Sequence, residues 1–118
     1  MEIARSRVIR LADASGRVPS PAGWHSASLL ERGSLTVKLS LPVRPNVQTP
    51  HYQDEIYFIV RGRGVLFHDG KREACEAGDL AFVAAGVEHH FEDFSDDLTV
   101  WVVLYGPQGG EHTEPGQA

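Results

Sequence analysis

With two lysines, Lys38 and Lys71, and a single cysteine, Cys75, these 118 residues are short of the side chains that several functions require. Eleven basic residues against sixteen acidic ones give a formal net charge of −5, and no basic tract is available to neutralise phosphates. Nucleic acid is therefore not an expected partner. One cysteine rules out an intramolecular disulfide, fits a reducing compartment, and reads as an inert strand thiol. No stretch approaches the roughly 20 apolar residues of a membrane span. The charged start, with Glu2, Arg5 and Arg7, is not followed by an apolar run of signal-peptide type. The chain reads as a cytoplasmic protein without a membrane partner. Also missing are a Gly-x-Ser-x-Gly elbow, a Gly-x-x-x-x-Gly-Lys phosphate loop and a Cys-x-x-Cys pair; Gly62-Arg63-Gly64 lacks the third glycine and helix of a dinucleotide site.

What is present is β structure. Short runs rich in β-branched and aromatic residues lie between glycine and proline breaks, at Ala27 to Glu31, Leu35 to Leu41, Glu55 to Val60, Val65 to His68, Arg72 to Glu76, Leu80 to Val83, His89 to Phe94 and Leu98 to Tyr105. Leu35, Val37, Leu39 and Leu41 alternate with Thr36, Lys38 and Ser40, the pattern of a strand with one buried face. Asp69-Gly70 marks a two-residue hairpin whose central residues both need positive φ, and Arg32-Gly33-Ser34 marks a weaker one. Pro42, Pro45 and Pro50 make residues 42 to 50 a loop or an interrupted edge. Residues 12 to 23 read as a surface arm and residues 106 to 118 as a flexible tail. The acidic group Glu92, Asp93, Asp96 and Asp97 reads as a solvated turn. The length suits one domain, residues 1–118, in an all-β sandwich or barrel.

The chemistry concentrates between His51 and His90. His51 and Glu55 are four apart, yet Pro50 before them and Ile56 to Val60 after them favour extended chain rather than helix. On one straight strand their Cα atoms would lie about 13 Å apart, too far for two ligands of one metal. The chain must therefore turn between them, with Gln53 and Asp54 at the corner. His89 and His90 are neighbours on a strand, so only one of them can face an interior site.

These residues resemble the cupin superfamily, specifically a small single-domain member. The first cupin motif runs Gly, five residues, His-x-His, three or four residues, Glu, six residues, Gly; here Glu55 and Gly62 hold the last two positions, His51 the second histidine, and Thr49 stands at the first. The second runs Gly, five residues, Pro-x-Gly, two residues, His, three residues, Asn; Gly78, Gly86 and His89 match it, while Ala84 and Asp93 replace the proline and the asparagine. The motifs cover residues 49–93. The resemblance implies a cupin-like antiparallel jelly-roll β barrel, a metal held by His51, Glu55 and His89, and a small-molecule ligand in the cavity.

Two imidazoles and a carboxylate suit Fe, Mn, Zn or Ni and leave positions open for a substrate. Gln53, two residues from His51, is a candidate auxiliary ligand, with a corner residue bonding backbone as the alternative. Tyr57 shares strand parity with Glu55 and is the candidate catalytic residue, as a phenol that orients substrate or donates a proton. Arg44 is a candidate anion contact, with a solvated surface charge as the default. His25, His68 and His112 are not expected to be ligands. The resemblance implies a metalloenzyme of oxygenase, isomerase or lyase type, or a non-catalytic small-molecule binder with a vestigial site; small cupins also commonly form homodimers through sheet edges.

Overall fold

The computed structural model describes residues 5–20, 25–46 and 51–112. Eight strands follow one short helix, α1 (Leu11–Ser15): β1 (Ser26–Arg32), β2 (Leu35–Ser40), β3 (Asp54–Arg61), β4 (Arg63–His68), β5 (Lys71–Glu76), β6 (Leu80–Val83), β7 (His89–Glu92) and β8 (Thr99–Tyr105). The strands correspond to the eight β-rich runs of the sequence. The segment expected to be only a surface arm contains α1, whose Ala14 is fully buried. Among the described residues no helix is long and apolar enough to cross a membrane.

The pairings are antiparallel and form two sheets, one ordered β1-β2-β8-β3-β6 and the other β5-β4-β7. The antiparallel jelly-roll expectation holds. Among the described residues the sheets remain two facing layers, a cupin-type sandwich, rather than closing into a continuous barrel. Tyr57, Ile59, Val83, Val100, Val102 and Leu104 from the larger sheet meet Leu66 and Phe91 from the smaller, with Phe94 and Leu98 closing one end. Alternate residues of each strand supply this layer, as the two-residue period requires.

Turn chemistry fixes the strand order locally. Asp69 and Gly70 both have positive φ, 51° and 74°, and His68 pairs with Lys71 across them, the expected two-residue hairpin. Gly33 likewise has φ 56° between the paired residues Arg32 and Leu35. Residues 106–112, read from sequence as part of a loose tail, are held in place: the Gly109 amide donates to Tyr52 O at 2.7 Å and the Glu111 amide to Asp54 Oδ2 at 2.9 Å. Residues 113–118 lie outside the described residues.

The acidic turn is paired rather than simply solvated. Arg72 contacts Glu92 and Asp93, while Arg44 contacts Asp96 at 2.7 Å and the Phe94 carbonyl and lies over the Phe94 ring. Arg44 thereby ties the loop after β2 to the loop after β7.

Gly62, the last glycine of the first motif, turns β3 into β4 at φ 81°, and a Cβ there would fall 2.6 Å from Ser95 Oγ and 2.8 Å from Leu98 Cα. Gly62→Ala combines left-handed strain with overlap against backbone. It is expected to cost at least about 2 kcal/mol of unfolding free energy in urea titration; a loss below about 0.5 kcal/mol would mean the junction relaxes freely.

Candidate metal centre

The corner between His51 and β3 is built by Asp54. Its buried carboxylate accepts the Ala85 amide at 3.0 Å through Oδ1 and the Glu111 amide at 2.9 Å through Oδ2, tying the turn after β6 and the C-terminal segment to the start of β3. The Gly86 amide donates to His51 O at 2.7 Å, linking the two motif regions through backbone. The chain bends at Tyr52 and Gln53, and His51 Nε2 comes within 3.6 Å of Glu55 Oε2, a proximity that a straight strand forbids.

Register then aims Glu55. It pairs with Leu104 on one side and Val83 on the other, all on the inner face of the larger sheet, and is only 2% exposed. From the facing sheet β7 presents His89, also 2% exposed, with Phe91 on the same inner side. His90 points the other way, stacked on Phe67 at 4.9 Å and bonded to Glu92. The adjacent histidines thus divide as strand alternation demands.

His51, Glu55 and His89 place their donor atoms within 4.8 Å of one another. Nδ1 of His89 lies 2.8 Å from Val87 O, which accepts its proton and leaves the Nε2 lone pair directed at the site. His89 Nε2 is 2.9 Å from Glu55 Oε1, but the two are not aligned as a hydrogen bond, and both atoms are buried without a hydrogen-bond partner. Buried polar atoms are rarely left this way. Two buried donor atoms at close range, neither with a hydrogen-bond partner, fit atoms that face a common third centre. Ligands about 2.1 Å from one ion stand roughly 3.0–3.4 Å apart, and the Glu55 contacts of 2.9 and 3.6 Å bracket that spacing. The donor set therefore fits a metal ion.

Without a metal, His89 holds its proton more firmly than an ordinary imidazole. Burial works against the imidazolium, but contact with Glu55, the bond to Val87 O and the Glu55 charge together outweigh it and raise the pKa.

Tyr57, two residues on from Glu55, is inward and 2% exposed, with its ring 6.1 Å from His89 and edge-on to Phe91 at 5.1 Å. Gln53 is directed elsewhere: its amide nitrogen donates to Ser34 O at 2.7 Å and Gly106 O at 3.0 Å, a corner residue bonding backbone. Thr49, at the first histidine position of the motif, lies outside the described residues. Arg44 is engaged with Asp96 and Phe94, and His68 pairs with Glu73 at 2.7 Å.

A cavity of about 350 Å³ opens beside the triad, with His51, Glu55, Tyr57 and Phe91 at one end, Val100, Val102 and Leu104 as its floor, and His25, Ser26, Lys38 and Ser40 at the other end. Asn46 reaches in from the rim loop, where its Oδ1 accepts the Phe91 amide at 2.9 Å. Sequence reasoning did not select Lys38, Ser40 or Asn46. For the first two a signal existed in the polar set alternating along β2.

A family model described as a cupin domain matches residues 42–105. An uncharacterised protein of Streptomyces coelicolor is 41% identical over 61 residues, 52% of this chain and 58% of that protein, and an uncharacterised Aquifex aeolicus protein is 29% identical over 63 residues, 51% of each. The matches thus span about half the length of these two curated relatives. An oxalate-binding protein of Thermotoga maritima is 27% identical over 106 residues, 87% of this chain and 88% of that one. Among solved structures, a cupin 2 conserved barrel domain protein from Salinispora arenicola superposes with a TM-score of 0.65 at 20% identity, covering 86% of this chain and 91% of that one. A Thermotoga maritima protein titled a predicted oxalate decarboxylase superposes with a TM-score of 0.55 at 28% identity, covering 68% and 77%.

The raised His89 pKa has a measurable sign. Its proton is bound more tightly in the fold than in the unfolded chain, where the value returns to about 6.5. The resulting stability is complete below that value and is lost as pH rises through the folded value. Metal-free wild type should melt progressively lower, relative to His89→Asn, as pH increases above the ordinary imidazole value of about 6.5. Parallel melting curves for the two proteins would contradict this assignment.

Proposed function

The chain belongs to the cupin family, and on that premise we propose that it is a small metal-dependent enzyme in which His51, Glu55 and His89 hold one divalent transition metal. The observation that carries this reading is the pair of buried, unpartnered donor atoms, Glu55 Oε1 and His89 Nε2, converging with His51. Two nitrogens and one oxygen suit Fe, Mn, Zn or Ni. When bound, such an ion supplies Lewis acidity or, as iron, oxygen activation, at positions left open to the cavity.

The protein's own groups supply the remainder. Val87 O fixes the His89 tautomer, and the Asp54 corner holds Glu55 against both imidazoles. Val100, Val102, Leu104 and Phe91 give the middle of the cavity an apolar lining. The Tyr57 phenol is the group we assign to orient a small oxygen-bearing metabolite and to give or take its proton. The reaction class is oxygenase, isomerase or lyase. A second reading, a non-catalytic binder of a small acid, is favoured by the full-length similarity to an oxalate-binding protein.

Elemental analysis of protein purified without chelator tests the centre: about one metal per chain is expected in wild type and less than about 0.2 in Glu55→Ala and in His89→Ala. Equal content in all three proteins would sink the reading. Tyr57→Phe should keep the metal and lose roughly 100-fold in kcat in an assay that registers turnover; retention of metal without turnover of any small acid favours the binder.

We also propose a homodimer through the outer face of the β3–β6 edge. Phe58, Leu80 and Phe82 cluster there, with Leu80 opposite Phe58 and Phe82 opposite Ile56, and are 41%, 57% and 51% exposed. A second copy covering this face would remove both an apolar patch and a free strand edge. Light scattering should give twice the 13.0 kDa chain mass, falling to the chain mass in Phe82→Lys. A monomeric wild type at high concentration would overturn the assembly.

A further inference from the structure

The end of the cavity away from the triad carries a cation for which the metal reading has no use. Lys38 pairs with Val102, and Val102 pairs with Tyr57, so all three share the inner face of the larger sheet. It lines the cavity with Ser26 and Ser40, which pair with each other across β1 and β2. Lys38 is half-buried, and the ion pairs among the described residues involve Arg44, Arg72 and four histidines but not Lys38. Arg44, another candidate for an anion, is occupied by Asp96 and Phe94.

An inward ammonium with no ion-pair partner among the described residues gives up hydration that an anion would replace. The surrounding charges favour that replacement. Among the described residues the cavity lining contains one carboxylate, Glu55, and that group belongs to the metal centre. With a divalent ion in place, the cavity is net positive inside a chain of formal charge −5. Between the two polar ends the floor is hydrocarbon, Val100, Val102 and Leu104.

We propose that Lys38, flanked by Ser26 and Ser40, is an anion subsite that binds the far carboxylate of an elongated acid whose near end coordinates the metal. The proposal rests on the metal reading for the near end alone. Lys38 and Tyr57 lie two strand spacings apart, about 10 Å between their Cα atoms. A ligand that spans the hydrocarbon floor of Val100, Val102 and Leu104 needs an apolar link between its ends, so the ligand class is a diacid or oxo-acid with a short hydrocarbon link. Its charged ends match Lys38 and the metal, and its middle matches the valine and leucine floor.

The test uses two probes, the monohydroxamate of glutaric acid and its neutral carboxamide counterpart, which share a metal-binding end and differ only in the distal charge. Isothermal titration of zinc-loaded full-length protein should show wild type preferring the carboxylate probe by roughly tenfold or more. In Lys38→Met the preference should fall to within about threefold, and Lys38→Arg should restore part of it. Melting temperature and zinc stoichiometry, followed in parallel, should be the same in all three proteins. No preference in wild type, a preference that survives Lys38→Met, or failure of both probes to bind would overturn the subsite. Zinc uptake without the preference removes the subsite and keeps the metal centre; the preference without zinc uptake removes the metal centre and keeps the subsite.

Discussion

A carboxylate buried at 2% exposure against an imidazole with which it makes no aligned hydrogen bond is the constraint around which the rest of this fold is arranged. Removing a carboxylate from water costs several kcal/mol unless a charge or donors replace the water. The Glu55 contacts supply attraction to His89 and His51 but leave Oε1 without a donor. A hydrophobic residue at this position would be the more stable solution in a purely structural sandwich. That Glu55 is instead aimed into the interior by the register of three strands, with two imidazole nitrogens beside it, is intelligible if the interior there is built for a cation.

Holding three such groups together is a problem of backbone geometry before it is one of side chains. His51 lies outside β3 and could not approach Glu55 if the chain ran straight, and His89 comes from the opposite sheet. Asp54 solves this with two backbone amides taken from segments distant in sequence, 85 and 111, so the turn after β6 and the chain beyond β8 close on the same corner. The His51 carbonyl adds a third tie, to Gly86. Each donor amide would be an unsatisfied group if the corner opened, which couples the positions of His51 and Glu55 to the segment leading into His89.

Much of this was legible in the sequence, for identifiable reasons. The strands were readable because the β-rich runs are separated by turn residues with defined backbone demands, Asp69-Gly70 and Gly62 among them. The need for a bend between His51 and Glu55 followed from distance alone, although it falls at Tyr52 and Gln53 with Asp54 already in β3, and the choice of His89 over His90 followed from motif spacing joined to strand alternation. Illegible were the features made by contacts between distant residues. Nothing local in Gly109 or Glu111 announces a bond to Tyr52 or Asp54, so the segment after β8 looked loose. The amide of Gln53 could have turned to the metal or the backbone, and only the positions of Ser34 and Gly106 decide that it takes the backbone.

The most instructive difference lies in β2. Its alternation is that of a strand, but of the apolar face only Leu39 is fully buried, while Leu35 and Val37 are half-buried like Thr36, Lys38 and Ser40 opposite. The cavity, however, lies on the other face, with Lys38 and Ser40. Hydrophobic periodicity identifies which side chains avoid water, and in a sandwich with a ligand chamber these are not always the ones that face the functional interior. On β3 and β8 the inner residues are chiefly apolar and pack the core; on β2, beyond the three-stranded cover, the inner residues are polar and furnish the chamber. One sheet therefore serves two purposes along its width. The change from valine and leucine to serine and lysine across it marks where packing ends and recognition begins.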